Sequence, residues 1–264
     1  MDLELTGKRA IVTGGSRGIG FAVADKLAAE GADVAVVARD RDALEKAAAR
    51  LGSHGTRIVV APADTRDDDA VRAMVAEVVG ALGGVDILVN AAAQVAGGPI
   101  PALADLADDD VRVEVETKVL GYLRTARAVA PHMVAQGWGR IVNISGLNAR
   151  TTGSIPGSIR NIAVAALSKN LADELGPSGI TVTTVHPGTT VTERTPGMLA
   201  ARAERSGTTP EEAAAAMGAG TSIGRLVTAA EVADVITFLA SPRSVAITGD
   251  AVSVGGGARG SIHY

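Results

Sequence analysis

The residues best suited to hold a ligand lie near the start of the chain, in Thr13-Gly14-Gly15-Ser16-Arg17-Gly18-Ile19-Gly20. Gly14, Gly18 and Gly20 fall at the spacing G-x-x-x-G-x-G, between an apolar run of strand length and a helix-like stretch. Glycine lets the backbone turn tightly and approach a pyrophosphate with no Cβ in the way. The helix N-terminus adds unpaired N–H groups and partial positive charge. Alone such a turn carries little; between the first strand and first helix of a βαβ unit it points to a dinucleotide. Two cations bear on which one. Arg17 lies inside the turn, and Arg39 directly follows the second strand. An acid after that strand would accept from a ribose 2′-OH, whereas an arginine can bind a 2′-phosphate with both arms of its fork. NADP(H) is therefore expected over NAD(H), with the adjoining Asp40 a mixed signal.

A turn of this kind needs a scaffold, and the patterning of the chain supplies one. Residues 10–13, 34–38, 58–61, 87–90, 141–145, 181–185 and 251–254 read as strands. Most are apolar throughout, which suits a parallel sheet covered on both faces. Helix-like stretches alternate with them, at residues 18–30, 42–51, 67–82, 111–136, 158–175 and 229–240. In residues 67–82 the apolar Val71, Met74, Val75, Val78, Val79 and Leu82 recur at helical spacing. Alternation of this kind means an α/β fold, one doubly wound parallel sheet (a Rossmann fold) with helices on both faces, spanning residues 1–264. The longest segment without a strand signal, residues 187–228, holds Pro196, Pro210 and an alanine-rich run. It reads as a substrate loop or lid at about 189–228, or as a surface helix insertion.

Composition narrows the function. With 264 residues, 47% hydrophobic and 20% charged, the chain can bury a sizeable core. A net charge of −4 argues against a nucleic-acid partner. There is no cysteine, which excludes disulfides, thiolate zinc sites and a cysteine nucleophile. His54, His132 and His263 show no metal-ligand spacing. No apolar run approaches the roughly 20 residues that span a bilayer, and no signal peptide is evident, so a cytoplasmic location is expected.

Several motifs in order then make the chain resemble the short-chain dehydrogenase/reductase family over nearly its whole length. Residues 13–20 match the family's TGxxxGIG. Asp64 matches the acid that contacts the adenine. Asn90-Ala91-Ala92-Ala93 matches NNAG with only the first Asn kept. Ser145 matches the catalytic serine. Pro187-Gly188, with Thr190 and Thr192, matches the stretch that cradles nicotinamide, and Gly255-Gly256-Gly257 fits the end of the last strand. The resemblance implies an oxidoreductase with a small-molecule substrate, NADP(H) at the residues named, and a homodimer or homotetramer through helices 111–136 and 158–175.

The resemblance also implies a proton relay, and there the sequence departs. In the family a Tyr gives or takes the hydroxyl proton, a Lys four residues later lowers its pKa, the Ser polarises the carbonyl, and an Asn on the preceding helix completes the relay. Matching residues 167–175 to the family's L-T-x-x-L-A-x-E-L puts Gly157 at the Tyr position and Asn161 at the Lys position, with Lys118 in place of the relay Asn. The chain has two tyrosines, Tyr122 and Tyr264, and neither falls in that register. Lys118 is the candidate replacement, as the missing cation or as the acid itself; the alternative is a structural ammonium paired with Glu114 or Glu116. Asn161 could hydrogen-bond the ribose. Arg160 could bind an anionic substrate or point to solvent. Asn148 and Arg150 could line a substrate pocket or form a plain loop, His186 could pack at its strand end or act at the nicotinamide edge, and Tyr264 could act on a neighbouring subunit. Two functions follow: an oxidoreductase of a small carbonyl, enone or hydroxy compound with an atypical proton path, or a nucleotide-binding member without redox activity, lyase-like, isomerase-like or regulatory.

Overall fold

The computed structural model describes residues 1–93, 101–260 and 262. Tyr264 and His263 lie outside them. Nine strands and nine α-helices are described, in chain order: β1 (Arg9–Thr13), α1 (Gly18–Ala29), β2 (Asp33–Ala38), α2 (Arg41–Leu51), β3 (Ile58–Pro62), α3 (Asp68–Leu82), β4 (Ile87–Asn90), α4 (Asp108–Glu114), α5 (Gly121–Gln136), β5 (Gly139–Ile144), α6 (Ile155–Leu175), β6 (Ile180–Pro187), β7 (Thr190–Val191), α7 (Thr195–Ser206), α8 (Pro210–Ala219), β8 (Val227–Thr228), α9 (Ala229–Leu239) and β9 (Ala251–Val254). Seven strands form one sheet in the order β3-β2-β1-β4-β5-β6-β9, and every pair in it is parallel.

Alternation within each strand decides which side chain enters which core layer. In β2, Val34 and Val36 enter the layer that α1 and α9 cover, while Ala35 and Val37 enter the opposite one with α3 and α5. Ala10 and Val12 divide from Ile11 in the same way, and Ile87 and Val89 from Leu88. Both faces being buried explains why these strands read as continuous apolar runs. The helices that cover them begin at side-chain caps. Asp67 accepts from the amides of Asp69 and Ala70 at the start of α3, and Thr228 with Glu231 forms a capping box at α9.

Three elements differ from the sequence reading. The helix expected from residue 158 starts at Ile155, because Ser154 caps it and Pro156 sits in its first turn, where proline costs no hydrogen bond. The helix expected over residues 111–136 begins at Asp108 and is broken by a π-helical segment, Val115–Leu120, in which the Gly121 amide donates to the Glu116 carbonyl. Residues 187–228, expected to lack strands, do contain them: β7 and β8 pair with each other, in a two-stranded sheet too short for a propensity signal. Among the described residues no helix is long and apolar enough to cross a membrane.

Candidate active site

A cleft of about 1130 Å³ opens at the carboxyl ends of β1, β2, β4, β5 and β6. Strand order reverses at β1 and β4, the place where open α/β sheets bind ligands. Gly14, Ser16, Arg17, Gly18, Ile19, Gly20, Arg39, Asp64, Ala92, Lys118, Ser145, Asn161, Pro187, Gly188, Thr190 and Thr192 all line it.

The glycine turn is shaped by its neighbours as well as by the need to admit a ligand. Gly14 has φ +68°, and a Cβ there would stand 2.8 Å from the carbonyl of Ala91. A Cβ at Gly20 would overlap the Gly14 carbonyl oxygen. Gly18 differs: its φ of +58° favours glycine, but a Cβ there would meet only van der Waals contacts, with Thr192 at 3.8 Å and Glu193 at 3.9 Å. This less crowded point, at the N-terminus of α1, lines the cleft. One side chain already reaches it. The Gly18 amide donates to Glu193 Oε2 at 3.2 Å, so a carboxylate from the loop after β7 meets the helix end. Nothing in the spacing of the sequence marks Glu193 for this place.

The adenosine end of the cleft is rich in cations. Arg17 and Arg39 are exposed on its wall, and Arg66, which the sequence pattern does not single out, joins them. Arg66 pairs with Asp64 at 2.6 Å, and that hydrogen bond holds the Asp64 carboxyl below the usual range, with the charges of Arg66 and Arg39 adding to the effect. Asp40 is engaged locally: it caps α2, accepting from the Ala43 amide at 3.1 Å. The acid beside Arg39 thus has a structural task. The glycine cradle and the cationic wall fit a phosphorylated dinucleotide.

Asn90 departs from its expected place in the cofactor site. It is fully buried, donates to Asn143 Oδ1 at 2.9 Å, and accepts from Thr125 at 2.8 Å. Asn143 in turn donates to Ser168. Asn90 therefore stands behind the cleft wall, tying β4 to β5 and α5. Thr13 completes the support, its Oγ1 accepting from the amides of Ala91 and Ala92.

At the other end of the cleft three distant segments meet. Lys118, in the π-helical segment, is 4% exposed. Its Nζ donates to the Ser145 carbonyl at 2.7 Å and to Asn161 Oδ1 at 3.1 Å. The Ser145 hydroxyl donates to the Asn161 carbonyl at 2.9 Å. Burial, then the charge of Arg160, lowers the Lys118 pKa to about 7, against the opposing pull of Glu114. An amine titrating there can serve as acid or base near neutrality. The carboxylates expected as structural partners of Lys118 are engaged elsewhere: Glu114 pairs with Arg160, and Glu116 with Arg124 at 2.7 Å.

The remaining candidates separate. Gly157, in the Tyr register, is buried against Ser154 and Asn148. Tyr122 is buried, its hydroxyl donating to the Ile144 carbonyl at 3.0 Å. Arg150, expected near the pocket, instead reaches Ser253 and the Ala251 carbonyl on β9. Asn148 does line the cleft, and His186 is buried in β6. No cluster of metal-ligating side chains occurs among the described residues.

Known proteins resemble this chain in sequence and fold. The short chain dehydrogenase family model matches residues 8–202. The short-chain reductase protein NovJ of Streptomyces niveus is 35% identical over 249 residues, covering 94% of this chain and 92% of that protein. The L-sorbose reductase of Gluconobacter frateurii, solved with NADPH and L-sorbose, superposes with a TM-score of 0.91 at 29% identity, covering 99% of this chain and all of the other. An NAD⁺-bound xylitol dehydrogenase superposes with a TM-score of 0.88 at 28% identity, over 96% of this chain and all of the other. With a sheet, a glycine turn and a family match that agree over most of its length, this chain belongs to the short-chain dehydrogenase family of oxidoreductases.

Proposed function

We propose that the protein is an NADP(H)-dependent oxidoreductase of a small carbonyl, enone or hydroxy compound in which Lys118 takes the proton-transfer role. The observation that carries this reading is the buried Lys118 ammonium, held between the Ser145 carbonyl and Asn161 at the end of the cleft away from the cationic wall. Arg17, Arg39 and Arg66 would hold the 2′-phosphate, the glycine turn the pyrophosphate, and Pro187, Gly188, Thr190 and Thr192 the nicotinamide. When bound, the nicotinamide supplies or accepts hydride.

Lys118 has two fixed acceptors and, when protonated, three N–H donors. The neutral amine satisfies both acceptors with two N–H groups; the third position then holds either a proton to give or a lone pair to receive one. Reduction of a carbonyl or enone uses the protonated form, so kcat/KM falls as pH rises above about 7, and oxidation shows the reverse. The segment at about 189–228 is read as a lid over the substrate. The exposed Ile155, Ile159 and Ile162 of α6 favour a homo-oligomer through that face, which analytical ultracentrifugation tests.

A second reading has one observation in its favour. The Ser145 hydroxyl proton is already directed at the Asn161 carbonyl rather than left for a substrate. That suits a nucleotide-binding protein without redox turnover. Incubation with NADPH and a panel of ketones, enones and imines separates the two. Consumption of NADPH that Lys118→Met suppresses supports the first; tight NADPH binding without turnover on any compound supports the second; no NADPH binding overturns both.

A further inference from the structure

Beside Lys118 lies a charge pair that the proton transfer above does not use. Glu114 ends α4 and is 7% exposed; Arg160 stands one residue before Asn161 on α6, and the two form a close ion pair. Arg160 Nε is buried and has no hydrogen-bond partner. The groups facing Lys118 are otherwise neutral or turned elsewhere. On α5, Tyr122 is neutral, because burial pushes its pKa far above the ordinary value, and its hydroxyl donates to the Ile144 carbonyl. At the end of β5, Ser145 donates to Asn161. On the π-helical segment itself, Glu116 is bound to Arg124. Arg160 lines the same cleft as Lys118 and directly precedes Asn161, which the ammonium bonds, so the Arg160–Glu114 pair is the charge pair placed to act on it.

We propose that the Arg160–Glu114 pair is a positioning device that sets the proton affinity of Lys118. Glu114 anchors the guanidinium; the guanidinium, whose charge is permanent, disfavours a second positive charge beside it. In a buried setting such a field is screened far less than at the surface. Neither residue touches substrate in this role, so both act through Lys118, and the idea rests on Lys118 being the acid–base group. A pair too distant or too well screened to act on Lys118 would leave its titration unmoved by removal of either member. A positioning pair makes the two removals move it in opposite directions. The depressed Lys118 pKa of about 7 agrees in its causes: burial first, Arg160 second, Glu114 opposing.

The test reads Lys118 directly. The chain has five lysines, Lys8, Lys26, Lys46, Lys118 and Lys169, so NMR of the full-length protein labelled at lysine can follow each one, with Lys118→Met assigning the signal. Arg160→Gln removes the cation and leaves an anion nearby, so proton affinity rises. Glu114→Gln removes the opposing anion, so it falls. Each shift is expected at about threefold to tenfold in the dissociation constant, that is, half a pKa unit to one unit. The double variant lies between wild type and Arg160→Gln, and Arg160→Lys, which keeps the charge, stays near wild type even if Arg160→Gln fails to fold. The kcat/KM pH profile in reduction moves with the NMR titration. Unmoved titrations, or shifts in one direction for both single variants, overturn the proposal; a wild-type Lys118 titrating in the ordinary lysine range overturns it too. An ordered titration series in a protein that turns over no substrate sustains the pair's role and overturns the redox reading, so the two failures are told apart.

Discussion

At the glycine end of the cleft the working groups are backbone atoms of one continuous segment, residues 13–20, braced by Ala91. At the Ser145 end they are side chains from three places: Lys118 from a π-helical segment, Ser145 from the end of β5, and Asn161 from α6. The first end depends on φ angles and on missing Cβ atoms. The second depends on how three elements pack. A site made of backbone resists change, because almost any side chain blocks it. A site made of converging side chains can exchange partners while the fold stays, and Lys118 and Gly157, which the resemblance sets against an asparagine and a tyrosine, would be an exchange of that kind.

Substitutions at each end test that contrast. The largest effect is expected from Lys118→Met, which removes the positioned acid: kcat/KM for NADPH-dependent reduction falls by about 10²–10⁴ while NADPH affinity, measured by calorimetry, is kept. Equal loss of both would show that the two ends are not separable. Next, Gly14→Ala must hold a Cβ at φ +68° against the Ala91 carbonyl. A cost of about 1–3 kcal/mol in unfolding free energy is expected, together with weakened NADPH binding and an unchanged Lys118 titration. Wild-type stability in that variant would refute the backbone account of this end.

Smaller effects resolve the roles of single charges at the two ends. Arg39→Ala should lower the preference for NADPH over NADH by about tenfold, roughly 1.4 kcal/mol; an unchanged ratio of dissociation constants would remove Arg39 from the 2′-phosphate site. Glu193→Gln should tighten NADPH binding by about twofold to fivefold, because a charge at a helix N-terminus is worth about 0.3–1 kcal/mol and the carboxylate on the Gly18 amide competes with a pyrophosphate. Weaker binding would mean that Glu193 helps the ligand instead. The subtlest test is thermal. The folded-state pKa of Lys118 is lowered, to about 7, so between that pH and the ordinary lysine range the unfolded chain binds more protons and stability rises with pH. The Tm advantage of Lys118→Met over wild type should accordingly be greatest below about pH 7 and shrink toward pH 10, as ~3 pH units of linkage are traversed.

Much of the scaffold is legible in the residue pattern. Apolar runs mark β1, β2 and β4 most clearly, since burial on both faces leaves few polar positions to blur them. Features that rest on few residues leave no such mark: two-residue strands such as β7 and β8, the π turn, and the start of α6 at a proline. At the cleft, the family motif marks Asn90 but does not place it, because a motif position does not say whether an amide faces a ligand or a neighbouring strand. Arg66 and Glu193 carry no spacing signal of their own.

Residue order suffices for the α/β alternation, the glycine turn with its cationic neighbours, and the absence of a tyrosine in the expected register. These are local properties: side-chain period, Cβ-free positions and residue identity. Packing settles the rest: Lys118 meets Ser145 and Asn161 rather than Glu114 or Glu116, Glu114 holds Arg160, and Glu193 rests on the Gly18 amide. Those contacts join residues 27, 43, 46 and 175 positions apart. Only the seating of helices on the sheet brings such groups together, and it also removes the water that would otherwise leave Lys118 an ordinary lysine.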